Sequence, residues 1–331
     1  MPSTLNVTSS DDIERAWEQW HEHLLAQFSR LLDGNRAVQL FLLVDSRATP
    51  GVEKLLQQVP RLAWVSLWRD SVIESYTDIA PYLFQIDHIA LSDPGDLLTR
   101  LVRRLWKDAH NLHMLTWIWS PLSLELLSTH LRYYSRYETT ERRAFFLHFY
   151  DNRILERLRS VWTEAEGQVF VSPCVEVWYR DRDWNDVVWR NEVDAALPVY
   201  RSEQFLTAEQ HLELLRLGRA DKLAMQLRDM YGGEFGDVLD SKLYYSISEQ
   251  LERAGKYRIA DKDDLLNYVV KGVMVSPRFD EHPEIHERLM RAASGEITLR
   301  EALCDIDSRV LAEASKMVRL AKSPDTEVSR T

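Results

Sequence analysis

Apolar residues recur every three or four positions along the first stretch of the chain, which is the spacing of a single helical face. The stripe consists of Ile13, Trp17, Trp20, Leu24, Phe28 and Leu31. Gly34 follows the last apolar position and is a typical residue for a helix end. We therefore predict a helix within residues 1–36 that packs its apolar face on the domain that follows.

Residues 37–190 show a different pattern, in which short apolar runs alternate with amphipathic stretches. The first run is apolar at nearly every position and ends at Asp45, which indicates a strand covered on both faces. Strands joined by helices imply crossover connections, so the predicted class is α/β with a mixed or mostly parallel sheet flanked by helices. The predicted strands are 38–45, 62–68, 82–86, 113–119, 143–150, 169–172 and 175–180, and the predicted helices are 51–59, 96–109, 123–136 and 152–161.

The composition changes after this domain. All eleven tryptophans lie between Trp17 and Trp189, while seven of the nine lysines follow Trp189. Residues 191–206 show no clear period and contain Pro198, so we predict a linker there. Capping boxes at residues 207–210 and 298–301 are typical of helix starts. We predict an all-α domain at residues 207–322 and a flexible tail at 323–331.

The chain of 331 residues carries a formal net charge of -11 at pH 7. An acidic surface repels phosphate backbones, so we expect no nucleic-acid partner. Arg100, Arg103, Arg104 and Lys107 share one helical face and could form a basic patch. No aromatic residue lies among them to stack on bases, and a solvated stripe is the favoured interpretation.

Features of a secreted or membrane protein are not evident in the sequence. The apolar run at residues 40–44 is too short to span a bilayer, and the first twelve residues lack the pattern of a secretion signal. Cys174 and Cys304 lie far apart and suggest neither a disulfide framework nor a metal site. We expect a soluble cytoplasmic protein without a membrane partner.

The sequence carries no recognisable catalytic motif. The glycine-rich segment at residues 232–236 follows a helix and lacks the lysine and serine or threonine of a phosphate loop. His282 and His286 have the spacing of two zinc ligands, but no third ligand accompanies them. Neither a nucleophile elbow nor a cysteine beside a base occurs. We predict no catalytic residue, no metal and no cofactor.

Two segments are candidates for binding a partner. Tyr150, Asp151 and Arg153 are predicted to lie where a strand runs into a helix, and ligands tend to bind at strand ends in α/β sheets. Asp151 can cap that helix, so a structural role is favoured over a direct contact. The second segment combines aromatic and charged residues, and both a core role and a role as a partner anchor stay open for it. Its candidate residues are Trp178, Arg180, Arg182 and Trp184.

Several short motifs follow one another in a characteristic order. They are the strand Leu40–Asp45, Ala80-Pro81-Tyr82-Leu83, Ser120-Pro121, His130-Leu131-Arg132, Phe149-Tyr150-Asp151-Asn152-Arg153 and Val171-Ser172-Pro173. Together they resemble the family called domain of unknown function 4123, the adaptor or chaperone proteins of bacterial type VI secretion. The resemblance covers about residues 37–185. The family pattern has an arginine before Phe-Tyr-Asp and a proline after it, where this chain has His148 and Asn152.

The resemblance implies a non-enzymatic role in the bacterial cytoplasm. Such adaptors bind a cognate secreted effector and promote its loading onto the valine-glycine-repeat spike protein. Two alternatives stay open. The strand–helix alternation could belong to a doubly wound enzyme acting on a phosphate-containing or nucleotide ligand. The stripe from Arg100 to Lys107 could serve a regulatory or nucleic-acid-binding protein.

Overall fold

A computed structural model of the chain describes residues 10–33, 37–198, 200, 204–235, 238–304 and 306–320. The chain forms two compact units, Met1–Leu215 and Arg216–Thr331. The predicted class, an α/β domain followed by an all-helical region, is confirmed. Gly34 and the predicted tail at 323–331 lie outside the described residues.

The predicted strands and helices mostly occur, with adjusted bounds. The described strands are β1 (Gln39–Asp45), β2 (Trp64–Ser66), β3 (Pro81–Ile86), β4 (Leu115–Ser120), β5 (Arg136–Glu138), β6 (Ala144–Phe146), β7 (Glu176–Arg180) and β8 (Asp186–Arg190). The described helices begin with α1 (Ser10–Asp33), α2 (Val52–Leu56), α3 (His88–Ser92), α4 (Leu97–Asp108), α5 (Leu124–Tyr133), α6 (Asn152–Val161) and α7 (Glu164–Val171). They continue with α8 (Ala208–Phe235), α9 (Asp240–Lys256), α10 (Lys262–Met274), α11 (Pro283–Ala293), α12 (Leu299–Cys304) and α13 (Ser308–Leu320).

The main sheet has six strands in the order β2-β3-β1-β4-β7-β8, and every neighbouring pair in it is antiparallel. A mixed sheet allowed for antiparallel pairs, but the mostly parallel arrangement is wrong. The pairings make β1 and β2 run in the same direction, as do β3 and β4. The two strands joined by each of these helical crossovers therefore run in the same direction, as expected. They are not neighbours in the sheet, because an antiparallel strand lies between them.

Helices cover both faces of this sheet. On one face, α1 packs tryptophan against tryptophan, and the ring centroids of Trp20 and Trp117 are 5.9 Å apart. Phe28 of the same helix meets Trp119 edge to face at 4.9 Å. On the opposite face, Leu155 of α6 and Phe170 of α7 lie over the strands around a cavity of about 10 Å³. Most tryptophans are core residues because a ring this large buries much apolar area.

Two predicted strands are wrong. Residues 143–150 contain only the short β6, which pairs with β5 in a separate two-stranded sheet, so Phe149, Tyr150 and Asp151 form a turn that leads into α6. Residues 169–172 belong largely to α7. That helix begins at a capping box in which Thr163 and Glu166 satisfy each other's main-chain amides. The Thr-x-x-Glu spacing was visible in the sequence and predicts the helix.

The segment predicted as a linker is residues 191–206. Its described residues form hydrogen bonds with other parts of unit 1. The Leu206 amide donates to the Glu138 carbonyl, and the Tyr200 hydroxyl lies 2.8 Å from Nδ1 of His130. Phe205 forms a parallel bridge with Glu138. The predicted domain boundaries at 36, 190 and 206 stay predictions.

Unit 2 is helical in its described residues and has a core of its own, which includes Leu243, Ile247, Tyr268 and Leu289. Helices α9 and α10 cross closely because Gly272 leaves room for the buried side chain of Gln250. None of the helices in the described part of the chain combines the length and the apolar character that crossing a membrane requires.

A buried ion pair between Arg253 and Asp280 lies within unit 2. We call this pair, together with Tyr257, Tyr268 and Glu281, the helical cluster. Nε of Arg253 donates to Oδ1 of Asp280 at 3.0 Å, and the Tyr268 hydroxyl donates to Oδ2 at 2.9 Å. The Tyr257 hydroxyl donates to the Asp280 carbonyl. Every oxygen of Asp280 therefore has a donor, as a buried carboxylate requires.

Candidate functional site

Two Asp-x-Arg segments adopt the same local structure, one after β1 and one at the start of α6. The Arg47 amide and Nε both donate to Oδ1 of Asp45, at 3.1 and 2.9 Å. The Arg153 amide and Nε donate to Oδ1 of Asp151 in the same way, each at 3.0 Å. In both segments the aspartate therefore fixes the turn and orients the arginine that follows two residues later.

The fold brings these two segments together. Asp45 ends a strand whose neighbour β4 begins beside Met114, and the Asp45 amide donates to the Met114 carbonyl. Nη2 of Arg47 lies 3.6 Å from Oδ2 of Asp151, so Arg47 joins the two segments. We call Asp45, Arg47, Asp151 and Arg153, with the aromatic residues Trp68, His148 and Tyr150, the strand-end cluster.

The aromatic residues of the cluster form a directed chain of hydrogen bonds. Nε1 of Trp68 donates to the Tyr150 hydroxyl at 3.2 Å, and the hydroxyl lies 2.5 Å from Nδ1 of His148. Because Tyr150 already accepts from Trp68, its own proton is available for the histidine. Burial and the nearby charge of Arg47 lower the pKa of His148 to about 4, so the ring is neutral at pH 7 and Nδ1 can accept. Arg47 also lies over the Tyr150 ring, 5.1 Å from its centroid.

The electrostatics of the strand-end cluster favour its ionised form. Burial acts to raise the pKa of Asp151, but the contacts with Arg153 and the charge of Arg47 outweigh it and lower that pKa. Burial likewise acts to lower the pKa of Arg47, and the contacts with Asp45 overcome it and raise that pKa. Two carboxylates and two guanidinium groups balance. The acidic groups are nearly enclosed, whereas the side chains of Arg47 and Arg153 stay 28% and 33% exposed.

Asn152 fixes the cluster to the sheet. Its amide donates to the His113 carbonyl at 3.0 Å, its Oδ1 accepts from Thr116, and its Nδ2 donates to the Leu115 carbonyl. A proline at this position would have neither the main-chain donor nor the side-chain amide. Asn152 therefore attaches the start of α6 to β4 and to the segment just before that strand.

An exposed loop leaves the cluster directly after Trp68 and returns to β3. Its apolar side chains Val72, Tyr76 and Ile79 are exposed, and Val72 is 88% exposed. The loop ends are held, because the Ser71 hydroxyl donates to the Trp68 carbonyl and the Tyr82 hydroxyl donates to the Thr77 carbonyl. A loop that is anchored at both ends and exposes apolar groups is typical of a binding surface.

The second candidate segment lies mainly in the core. Trp178 is buried, and its Nε1 donates to Glu176 at 2.7 Å. The guanidinium of Arg180 lies over the rings of Trp20 and Trp106, and its Nε donates to Asp186. A cavity of about 30 Å³ lies beside these groups, which is room for water rather than for a nucleotide.

Arg182 and Trp184 occupy the turn between β7 and β8. Arg182 is buried next to Glu156. Burial raises the pKa of Glu156, although the charge of Arg182 acts to lower it. Trp184 has a φ of 65°, a left-handed conformation that costs energy for a bulky residue, and its ring stacks on His113 at 4.4 Å. The structure therefore brings Tyr150, Asp151 and Arg153 into one cluster and places the hairpin residues separately.

Sequence reasoning missed Asp45, Arg47, Trp68 and His148 as partners of the Phe-Tyr-Asp segment. One signal could have indicated the first two, because the Asp-x-Arg spacing occurs at both Asp45 and Asp151. The pairing itself joins distant parts of the chain, so no local pattern contains it.

The basic stripe on α4 is largely neutralised within unit 1. Arg103 and Lys107 both pair with Glu14 of α1, and Arg104 lies 3.7 Å from Asp108. The interpretation as a solvated or paired face is favoured over a nucleic-acid surface. Within the described residues, no group of three or more histidine, cysteine, aspartate or glutamate side chains is placed to hold a metal ion.

Part of unit 1 is similar to a known protein family. Residues 40–168 match the family model described as a domain of unknown function, DUF4123, and this range includes the whole strand-end cluster. No curated protein and no solved structure matches the chain.

Proposed function

We propose that this protein is a non-enzymatic adaptor that binds a cognate type VI secretion effector in the bacterial cytoplasm and promotes its loading onto the valine-glycine-repeat spike. The observation that carries the proposal is the position of the strand-end cluster within the matched family region, residues 40–168. The most exposed charges of this cluster belong to two oriented arginines, which lie beside an exposed apolar loop. The motif order that resembles the type VI adaptors supplies the link to secretion.

The chemistry of this surface suits a protein partner. Arg47 and Arg153 are held by their aspartates, so little side-chain entropy is lost when a partner carboxylate or main-chain carbonyl approaches them. Val72 and Tyr76 offer apolar area next to them. An apolar contact with a charged rim is typical of an interface of moderate strength, and a carrier that hands its cargo on requires such strength.

The enzyme alternative depended on a doubly wound parallel sheet with a ligand site at the strand ends. The sheet is antiparallel, so that premise does not hold. We therefore keep the adaptor as the single proposal. Turnover of a small molecule that is lost on replacing Asp45 or Asp151 by asparagine would overturn it.

The test is capture of the product of a neighbouring effector gene by the tagged full chain, analysed by mass spectrometry. The double variant Val72→Asp with Tyr76→Ser should weaken capture about tenfold, or about 1.4 kcal/mol, because it removes the apolar part of the surface. The matched control is Ile89→Asp in α3, since Ile89 is also 79% exposed but belongs to a different element. Equal capture by both variants, with unchanged unfolding midpoints, would contradict the proposed surface.

A further inference from the structure

Among the strands that the structure describes, β8 is an edge strand of the six-stranded sheet and pairs there with β7. The Asn191 amide donates to the Val175 carbonyl and the Asp181 amide donates to the Asn185 carbonyl. In this antiparallel register the odd-numbered residues of β8 therefore point their main-chain groups toward β7. Asp186, Val188 and Arg190 consequently point theirs away from the sheet.

These outward groups are available for pairing. Among the residues that the structure describes, no hydrogen bond reaches the main-chain amides or carbonyls of Asp186, Val188 and Arg190. An open edge of this kind is a template for another strand, and natural proteins either protect it or use it. The sheet's other edge, β2, is only three residues long.

Three side chains on one face of β8 place opposite charges on either side of an apolar residue. Asp186 accepts from Nε of Arg180 across the β7–β8 pair, and Nε of Arg190 donates to Glu176. Val188 lies between the two charged residues and opposite Trp178. Along the exposed edge the order is therefore negative, apolar, positive, with Val188 at the centre.

We propose that two copies of this chain pair through β8, antiparallel and around a two-fold axis at Val188. In that register Asp186 of each copy lies opposite Arg190 of the second copy, and Val188 lies opposite itself. Four charged residues then lie side by side across the four strands: Glu176 and Arg190 of one copy, followed by Asp186 and Arg180 of the second copy. Their charges alternate in sign. The two six-stranded sheets become one continuous sheet.

Other registers of the same edge are less favourable. A parallel arrangement in register places like charges side by side. An antiparallel shift by two residues that moves Arg190 opposite Val188 also moves Asp186 opposite Glu192, which is a repulsive pair. The self-complementary pattern therefore selects a closed dimer, and it favours a second copy over an unrelated strand.

The main-chain test uses the full chain in sedimentation velocity over a range of concentrations. Because one strand pair is a small interface, we expect a dimer in the micromolar range. Val188→Pro should return the mass to the 38.8 kDa of one chain, because proline removes the outward amide without breaking a bond to β7. Val188→Thr keeps that amide and a β-branched side chain, so it should keep the dimer. A dimer that persists in Val188→Pro would refute the pairing.

A charge test distinguishes the register. Asp186→Arg and Arg190→Asp should each be monomeric, because each places like charges opposite each other. Mixing the two single variants should restore a dimer, since every pair across the axis is then complementary. Two variants that stay monomeric on mixing, while circular dichroism shows both to be folded, would overturn the proposed register.

The remaining outcomes also decide the question. A wild-type chain that is monomeric even at millimolar concentration overturns the proposal. If that monomer captures an effector and Val188→Pro loses the capture, the edge binds a strand of the partner, not a second copy. The inference does not depend on the adaptor function, because it is measured on the isolated chain.

Discussion

The strand-end cluster of unit 1 and the helical cluster of unit 2 both hold a buried aspartate with arginine, but they differ in their access to solvent. Asp280 is 1% exposed and the side chain of Arg253 is 12% exposed, with two tyrosine hydroxyls closing the pair. In the strand-end cluster the aspartates are similarly enclosed, while both arginines reach the surface. The first arrangement is closed and the second presents cations outward.

This difference separates a structural network from a network that can also bind. A closed pair has lost its water on folding, so its contribution is to the fold and its removal is costly. An arginine at the surface still exchanges water, and a partner's carboxylate or carbonyl can replace that water. The same residue types are therefore suited to two different roles because their burial differs.

The largest loss of stability is expected from Asp280→Ala. The change removes the buried carboxylate of Arg253, so that the more exposed Glu281 is left to pair with it, and it leaves the Tyr268 hydroxyl without its acceptor. We expect the free energy of unfolding of unit 2 to fall by about 3–5 kcal/mol. Chemical denaturation of the full chain, followed by circular dichroism, measures it.

The matched control is Glu281→Gln, which removes the other carboxylate on Arg253. Glu281 is well exposed, so this loss should stay below about 1 kcal/mol. Similar losses for the two variants would show that the Asp280–Arg253 pair is no better shielded from solvent than the exposed Glu281.

A smaller loss of stability is expected from Asp151→Ala in unit 1. The variant loses the cap of α6 and the partner of Arg153, and we expect about 2–3 kcal/mol together with a lower thermal midpoint. Asp151→Asn is the control, because it keeps an acceptor for the Arg153 amide and loses only the charge. It should retain part of the stability.

The alternative outcome for this residue is equally informative. If Asp151→Ala leaves the thermal midpoint unchanged and abolishes effector capture, Asp151 is a direct contact and its structural role is secondary. A lowered midpoint with normal capture at low temperature supports the role as a cap.

A still smaller change is expected in how the stability of unit 1 depends on pH. The pKa of His148 is lowered to about 4 by burial and by Arg47, and that of His130 is lowered to about 4 by burial. Between pH 6.5 and 4 the unfolded chain therefore binds more protons than the folded one, so stability falls as the pH decreases. His148→Gln keeps an acceptor for Tyr150 and should flatten this slope.

The measurement is the free energy of unfolding at several pH values in that interval. His130→Gln should also flatten the slope, and the double variant should flatten it further. A slope for His148→Gln that parallels the wild type would show that this ring is not held neutral by the strand-end cluster.

Part of the strand-end cluster was predictable from the sequence. The capping role of Asp151 follows from local chemistry, and helix α6 has the predicted bounds of 152–161. Strand β1 was likewise evident, since it is apolar on both faces. The link from Arg47 to Asp151 was not predictable, because an ion pair between distant segments depends on which strands become neighbours.

The order of the strands explains most of what was missed in the fold. Apolar runs indicate where a strand lies and that both faces are covered, but they do not indicate whether the next strand is inserted beside it or beyond it. Here β3 enters between β1 and β2, and β1 lies between β3 and β4. Trp178 was ambiguous for a similar reason, because its buried partner Glu176 becomes acceptable only with Arg30 and Arg190 around it.

The smallest change in stability is expected from Arg153→Gln, and this variant sharpens the comparison most. The Arg153 main-chain amide still caps onto Asp151 and Arg47 still neutralises it, so the loss should be about 1 kcal/mol or less. Effector capture should nevertheless weaken about tenfold if the exposed guanidinium faces the partner. Arg291→Gln in unit 2 is the control, because Arg291 is also an exposed arginine, paired with Glu296, and should change neither property. Equal capture by the two variants would mean that the open side of the strand-end cluster, like the helical cluster, serves only the fold.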